Sequence, residues 1–390
     1  MDKEEKYLVE ICNAFLHNNK KLSEPEKNIE LQKLLKLAVH HNLIAVCQCV
    51  LHDKKSDNSE YSAFLNCLRD RFLDSYYLFN LQSECLNDLK KIFEKNKIRH
   101  IFFKGSVIRE YYPIPEARVM GDIDVLIKPE DRNNVKKILE DAGFKCTAQN
   151  GPVFDYSREN VLVEVHTKII NEFGENAFSD AFERACFEDG NYTGTLDDNY
   201  HFAYLIAHIA HHFRFYGAGI RFVLDLAVFQ TNRKIDMNNV FTILKNVNLD
   251  YFAKVILSVC YEWFGIGQKY IDDTQKTQEY LCRCGTFGSL QTNKGAVIVR
   301  RELEEGKSFS SFKSRLHLAF PSYSKLKDIP YIKFIDGKPW LTPYAWCYRF
   351  YFNLKNRKEF MKKTVNQLGD EETQSLAKEE LAYFKEIGLL

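Results

Sequence analysis

Three short stretches carry residue types whose spacing suits phosphate chemistry: Lys104-Gly105-Ser106, Asp122-Ile123-Asp124 and Glu164-Val165-His166. Successive side chains of a strand point to opposite faces, so Asp122 and Asp124 share one face while Ile123, Val125 and Ile127 share the other. Two carboxylates side by side repel, and on a half-buried sheet one takes up a proton unless a cation lies between them. A hard divalent ion, Mg2+ before Mn2+, meets that need, because it takes oxygen ligands and completes its shell with water and substrate phosphate. In the run from Val161 to Ile170, alternation puts Val161, Val163 and Val165 on one face and Glu164 with His166 on the other. If this strand neighbours the Asp-x-Asp strand, three carboxylates converge. In a two-metal site the third binds the metal that activates the incoming hydroxyl, or accepts its proton.

The Lys-Gly-Ser turn supplies the other half of such a site. Ile101 to Phe103 reads as a buried strand, Gly105 has no side chain to block a ligand, and Val107 to Tyr112 can begin a helix whose free N–H groups favour an anion. Ser106 falls at or near the helix N-cap, where its hydroxyl can turn to a phosphate oxygen, and the Lys104 ammonium adds a point charge. An isolated Asp-x-Asp is common on solvated strand edges, and a lysine at a strand end is often merely solvated. The combination on successive strands is what points to metal and phosphate.

The elements that must hold these residues can be read around them. Residues 1–95 are helical in pattern: Leu8, Ile11, Cys12 and Phe15 recur at helical spacing, as do Leu34, Leu35 and Ala38, and after a polar loop from His52 a long helix runs from about Tyr61 to Asn96. Beyond the Asp-x-Asp strand, Pro129, Glu130 and Asp131 start a helix with Val135, Ile138, Leu139 and Ala142 on one face and Gly143 as its stop. This order predicts an α/β core with a mixed sheet over residues 96–172, and helical patterns return over 173–390, giving an α+β chain with helical regions on either side. Asp197 or Asp198 caps a helix through Phe213 in which His208 and His212 lie on one side. The metalloprotease pattern needs Glu after the first His, and Ile209 stands there, so core or pocket-lining histidines are expected. Arg221 and Asp225, one helical turn apart, are expected to pair. The aromatic run from Trp340 reads as a helix packed on the body of the protein, and the charged segment from Asp370 as a solvated cover.

Composition narrows the classes. At 390 residues the chain can form two or three domains, and a formal charge of +1 provides no global attraction to nucleic acid or acidic membranes, so no extensive nucleic-acid surface is expected. The 11 cysteines are an odd number, scattered, with no signal peptide before them, which favours reduced thiols and the cytoplasm. Cys47 with Cys49, and Cys282 with Cys284, are spaced too closely for the usual zinc pattern. No apolar run is long enough to span a bilayer.

The residues together resemble the nucleotidyltransferase superfamily typified by DNA polymerase beta. Within it they are similar to an uncharacterised bacterial nucleotidyltransferase family, through Lys104-Gly105, Tyr112-Pro113, Arg118, Gly121-Asp122-Ile123-Asp124 and Glu164 with His166. The stretches near residue 40, from His201 to Phe213 with Arg221 to Ala227, and near residue 286 also look like that family, so the resemblance covers most of the chain. The spacing between Ser106 and Asp122 is longer than the superfamily's usual one and leaves the role of Arg118 open. The resemblance implies Mg2+- or Mn2+-dependent transfer of a nucleoside monophosphate from an NTP to an acceptor, with release of pyrophosphate. It places Asp122, Asp124 and Glu164 as metal-binding catalytic carboxylates, Lys104, Gly105, Ser106 and Arg118 at the nucleotide, and His166, His208, His212 and Asp225 around an acceptor pocket. The acceptor, small molecule or macromolecule, is not specified. Two rivals stand beside this reading: a catalytically inactive nucleotide-binding or scaffolding protein of the same fold, and a toxin-like transferase acting on protein or tRNA.

Overall fold

The computed structural model describes the chain except residues 20–21, 23–24, 26–27, 53–57, 170–172, 174–177, 286–289, 305–310, 328 and 357. Most of the polar loop after His52, and residues 286–289 of the family-like segment there, therefore lie outside the described residues. The chain divides into two compact units, residues 1–147 with 152–288, and residues 289–390 with 148–151. The expected regions 1–95 and 96–172 thus fall almost wholly in one unit, together with the first part of 173–390.

Four helices open the first unit: α1 (Lys3–Leu16), α2 (Leu31–His40), α3 (Ile44–Leu51) and α4 (Ser59–Lys95). A capping box between Asp2 and Glu5 starts α1, whose Leu8, Ile11, Cys12 and Phe15 are buried. Asn58 caps α4, and its 37 residues make a rod about 55 Å long at 1.5 Å per residue. The left-handed Lys97 then turns the chain into the sheet.

The sheet carries β1 (His100–Phe102), β2 (Ile123–Ile127), β3 (Lys145–Asn150), β4 (Val153–Arg158), β5 (Val161–His166), β6 (Ala185–Phe187) and β7 (Thr193–Leu196), in the order β3-β4-β5-β2-β1-β7-β6. It is mixed: β2 runs parallel to β5 and β1 parallel to β7, whereas β1 with β2 and β4 with β5 are antiparallel. Two short helices interrupt the strands, α5 (Gly105–Ile108) after β1 and α6 (Arg132–Asp141) after β2. Past α6, Gly143 at φ 85 makes the turn that its position after the last apolar residue predicts. Ile123, Val125, Ile127, Val161, Val163 and Val165 form one core with Leu86, Leu89 and Phe93 of α4 and Val135 and Leu139 of α6. One face of the central strands is therefore wholly apolar, which commits the other to Asp124, Glu164 and His166.

The sheet does not end at residue 172. β6 and β7 extend it past β1, and they are only three and four residues long, too short for alternation to show in the sequence. Gly194 makes their pairing close, since a Cβ there would lie 2.5 Å from the Phe187 ring. Helices then resume as expected: α7 (Asp198–Phe215), capped by Asp197, α8 (Ile220–Asn232), α9 (Met237–Lys245), α10 (Asp250–Phe264) and α11 (Gln275–Cys284). Every residue of α8 from Ile220 to Phe229 is buried, so it is a core helix with no solvent face along that length.

The second unit is helical: α12 (Leu290–Glu304), α13 (Ser311–Ala319), α14 (Tyr323–Leu326), α15 (Thr342–Asn356), α16 (Lys358–Gln367) and α17 (Glu371–Glu386). The charged C-terminal segment is more than a cover, because Ala377 joins Ala296, Val299 and Leu368 in a core and Arg300 pairs with Glu380 where both are buried. α15 packs Ala345 and Trp346 against Leu326, Ile332 and Ile335, while its Tyr344, Phe350 and Tyr351 are exposed, as is Trp340 before it. Among the described residues no helix is long and apolar enough to cross a membrane.

Leu139 is fully buried in the core beneath the central strands. Leu139→Ala is expected to lower the unfolding free energy by about 2–5 kcal/mol, read as a fall in the urea midpoint. A change below about 0.5 kcal/mol would mean that α6 is not part of the cooperative core.

Candidate active site

The parallel register of β2 and β5 sets Asp124 opposite Glu164, and the antiparallel register of β4 and β5 sets Asp155 opposite Glu164 on its other side. Asp124 Oδ1 accepts from Lys104 Nζ at 2.6 Å and from His166 Nε2 at 2.9 Å, and the same His166 nitrogen lies 3.2 Å from Glu164 Oε2. One ligand atom each from Asp124, Glu164 and His166 fall within 4.8 Å of one another. This tightest cluster contains the histidine where the sequence pattern suggested Asp122, which stands just ahead of β2.

The electrostatics are those of crowded acids with too little positive charge. Burial, then the repulsion of Asp124 and Glu164, pushes the Asp122 carboxyl up to about 7, with Lys104 and His166 only partly opposing. Burial would raise Asp124 too, but Lys104 and His166 hold it below the usual carboxylate range. Burial would lower Lys104, yet Asp124, followed by Tyr204, Asp122 and Glu164, raises it. For His166 burial is outweighed by its bonds to Asp124 and Glu164, and its pKa rises.

The Lys-Gly-Ser turn differs from the expectation in detail. The residue at the helix N-cap is Lys104, at φ 54 and ψ −130, a backbone conformation that is strained for any residue but glycine. Its N–H is held by His201 Nε2 at 3.2 Å, and the charge of its ammonium acts on the Tyr204 hydroxyl. Burial drops His201 to about 4, so it is neutral and able to accept. Ser106 is buried and its hydroxyl donates to the Phe103 carbonyl at 3.1 Å, back into the turn. A Cβ on Gly105 would meet the Met120 side chain at 3.2 Å, so this glycine makes room for a packed methionine.

The long spacing before Asp122 is a buried clamp. Arg118 donates from Nε and Nη2 to the two oxygens of Asp225, each at 2.8 Å, and the Tyr112 hydroxyl adds a bond of 2.6 Å to Oδ1. Arg118 and Asp225 therefore satisfy each other, in place of the Arg221–Asp225 helix pair, and Arg118 Nη2 lies 3.7 Å from where a Cβ on Gly105 would stand. Arg221 donates instead to the Val119 carbonyl, and Gln82 of α4 donates to that of Met120. These bonds fix the backbone that delivers Asp122 to β2.

On α7, His208 and His212 meet through their Nε2 atoms at 3.2 Å. Burial holds both neutral, His212 at about 3, and the charge of Lys104 contributes to each. Of the residues expected from sequence, the structure thus gathers Lys104, Asp122, Asp124, Glu164 and His166, with the two histidines in electrostatic reach. Asp155, Tyr204 and His201 were not assigned to the site. Asp155 was readable in principle, because Phe154 and Tyr156 are buried in the core on either side of it and so turn it to the acidic face.

A profile of the family described as uncharacterised nucleotidyltransferase matches residues 27–265, more than half of the chain. The chain belongs to that family. No curated protein matches it. The nucleotidyltransferase match runs from before α2 to the end of α10, so it includes every residue named in this site.

Two carboxylates and an imidazole, those of Asp124, Glu164 and His166, fit a divalent ion, and the raised Asp122 beside them marks the charge that such an ion would neutralise. Metal-free protein should lose stability as pH rises from about 4 to about 7, because over that window folded Asp122 keeps a proton that its unfolded counterpart, at 3.8, has released. Asp122→Asn should remove that part of the slope in urea melts across pH. An unchanged slope would refute the raised carboxyl.

Proposed function

We propose that the chain transfers a nucleoside monophosphate from an NTP to an acceptor and releases pyrophosphate. The parallel pairing that places Asp124 beside Glu164, with Asp122 crowded against both, is the observation that carries the reading. Asp122, Asp124 and Glu164, with His166 beside them, would hold Mg2+ or Mn2+. A divalent ion there supplies charge neutralisation to the phosphates and makes the acceptor hydroxyl more acidic.

The remaining chemistry belongs to the chain. The Glu164 side chain is 34% exposed whereas that of Asp124 is 3% exposed, so Glu164 is the carboxylate that an acceptor can reach and the one suited to take its proton. Lys104 and the backbone at Gly105 are suited to the phosphates. The acceptor oxygen forms a bond to the α-phosphorus as the bond from that phosphorus to the β-phosphate's bridging oxygen breaks, and the electron pair leaves with pyrophosphate. His208 and His212, neutral and hydrogen-bonded to each other, line the helical side from which an acceptor approaches.

NTPs labelled separately at the α and γ positions test the reaction class. With a competent acceptor the α label should enter the product and the γ label should leave as pyrophosphate, followed by mass spectrometry. Recovery of a γ-phosphorylated acceptor would replace this reading with a kinase, and absence of turnover over broad acceptor pools would favour a binding protein. Glu164→Gln is expected to keep nucleotide affinity while its single-turnover rate falls by about 10²–10⁴. Equal losses in binding and rate would place Glu164 with the nucleotide instead of the acceptor. Asp124→Asn is the poorer probe, since it also strands the buried Lys104 ammonium.

A further inference from the structure

A helix that is apolar on every side does not rest in water, and α15 is close to one. Its inner side is committed. Ala345 and Trp346 pack on Leu326, Ile332 and Ile335, the Phe352 ring stacks on Tyr331 at 3.9 Å, and Arg349 donates to the Leu318 carbonyl at 2.8 Å. Its outer side carries a second stripe. Tyr344, Cys347, Tyr348, Tyr351 and Leu354 recur at spacings of three and four, Phe350 flanks them, and all are exposed. Phe350 is 66% exposed, and Trp340, just ahead of the helix, 71%. So many aromatic and apolar side chains on one side of a helix about 22 Å long exceed the scattered hydrophobes of an ordinary surface, and they mark a face that something covers.

Charge narrows what covers it. The whole chain carries +1, but residues 321–363 hold ten Lys and Arg against three Asp and Glu. Lys338 lies close in sequence to Trp340, Lys355 in the last turn of α15, and Lys358, Lys362 and Lys363 on α16, and all of these lysines are exposed. Bases therefore stand at both ends of the stripe. Between Tyr344 and Leu354 the only charged residue is Arg349, which is turned to the Leu318 carbonyl. A second copy laid on this face by a twofold axis would set the same lysines against one another. A nucleic acid would stack on the rings, but its phosphates recur at every nucleotide and call for cations along the whole stripe. An anionic bilayer surface meets both demands. Its headgroup boundary takes Phe350, Leu354 and the tyrosines, and its lipid phosphates take the lysines at either end.

We propose that the outer face of α15 is a docking surface that lies in the headgroup boundary of an anionic membrane without crossing it. The inference goes beyond the nucleotidyl-transfer reading and does not depend on it.

The test is co-sedimentation of the full chain with vesicles of phosphatidylcholine alone and of phosphatidylcholine with phosphatidylglycerol in equal parts, alongside thermal unfolding. Wild type should bind the anionic vesicles roughly tenfold or more tightly than the neutral ones, and less tightly as salt is raised. Phe350→Ser with Leu354→Ser should weaken that binding by roughly tenfold or more. The same variant should melt at the wild-type temperature, because both side chains are exposed. Absence of binding to anionic vesicles, equal binding to both kinds, or unchanged binding in the folded double variant would each overturn the proposal. Concentration-dependent dimerisation that the double variant abolishes would give the face to a second copy instead. A single-stranded oligouridylate bound more tightly than the anionic vesicles, and lost in the same variant, would give it to nucleic acid. Should the variant not fold, Lys338→Glu with Lys355→Glu replaces it, and anionic-vesicle affinity equal to wild type there has the same force as in the first variant. The vesicle assay needs neither nucleotide nor metal, so its failure leaves the transfer reaction standing, and a failed transfer assay leaves the docking surface standing.

Discussion

Two acidic side chains placed directly opposite each other on paired strands repel, and the pairing survives only where positive charge is brought to them. β2 and β5 are joined in that register. Much of the surrounding structure can be understood as its consequence. The valine-rich reverse face ties the strands together strongly enough to hold the register. Lys104 is bent into an unfavourable backbone conformation to set its ammonium on Asp124, and His166 bridges Asp124 and Glu164 from within β5 itself. Even so Asp122 keeps its proton to nearly neutral pH, which is the residue of repulsion that Lys104 and His166 do not remove.

The helices act on this site through backbone carbonyls more than through side chains that enter it. Gln82 on the long α4 and Arg221 on α8 hold consecutive carbonyls, those of Met120 and Val119, from different directions. Arg118 and Tyr112, both drawn from the long spacing after the turn, lock onto Asp225 of α8. The position of Asp122 therefore depends on elements far apart in sequence, and α4 and α8, which hold it, belong to the same compact unit as β2.

What the sequence revealed follows the range of each interaction. The face shared by Asp124, Glu164 and His166 and the stop at Gly143 are local, set by alternation or by one residue's backbone preference, and they could be read directly, whereas the cap was narrowed only to Asp197 or Asp198. Alternation alone left open whether β5 lay beside β2. β6 and β7 escaped notice because strands of three or four residues leave no periodic trace, and their pairing is made by backbone bonds. Ser106 and Gly105 have the residue types of a phosphate turn, but type does not tell where a hydroxyl or a missing Cβ points. Arg118 and Asp225 were both recognised as noteworthy charges, while their pairing across 107 positions was invisible to any local rule.

Lys104 sits where a glycine would be at ease. Its backbone conformation costs about 1–3 kcal/mol for a residue with a side chain, and glycine would adopt it freely. Glycine would also leave Asp124 without its closest cation. Comfort of the turn and charge at the carboxylates are thus exclusive demands on a single position, and the chain has met the second. Conventional stabilisation by relieving left-handed residues would, at this one place, trade the fold's gain against the chemistry of its acidic face.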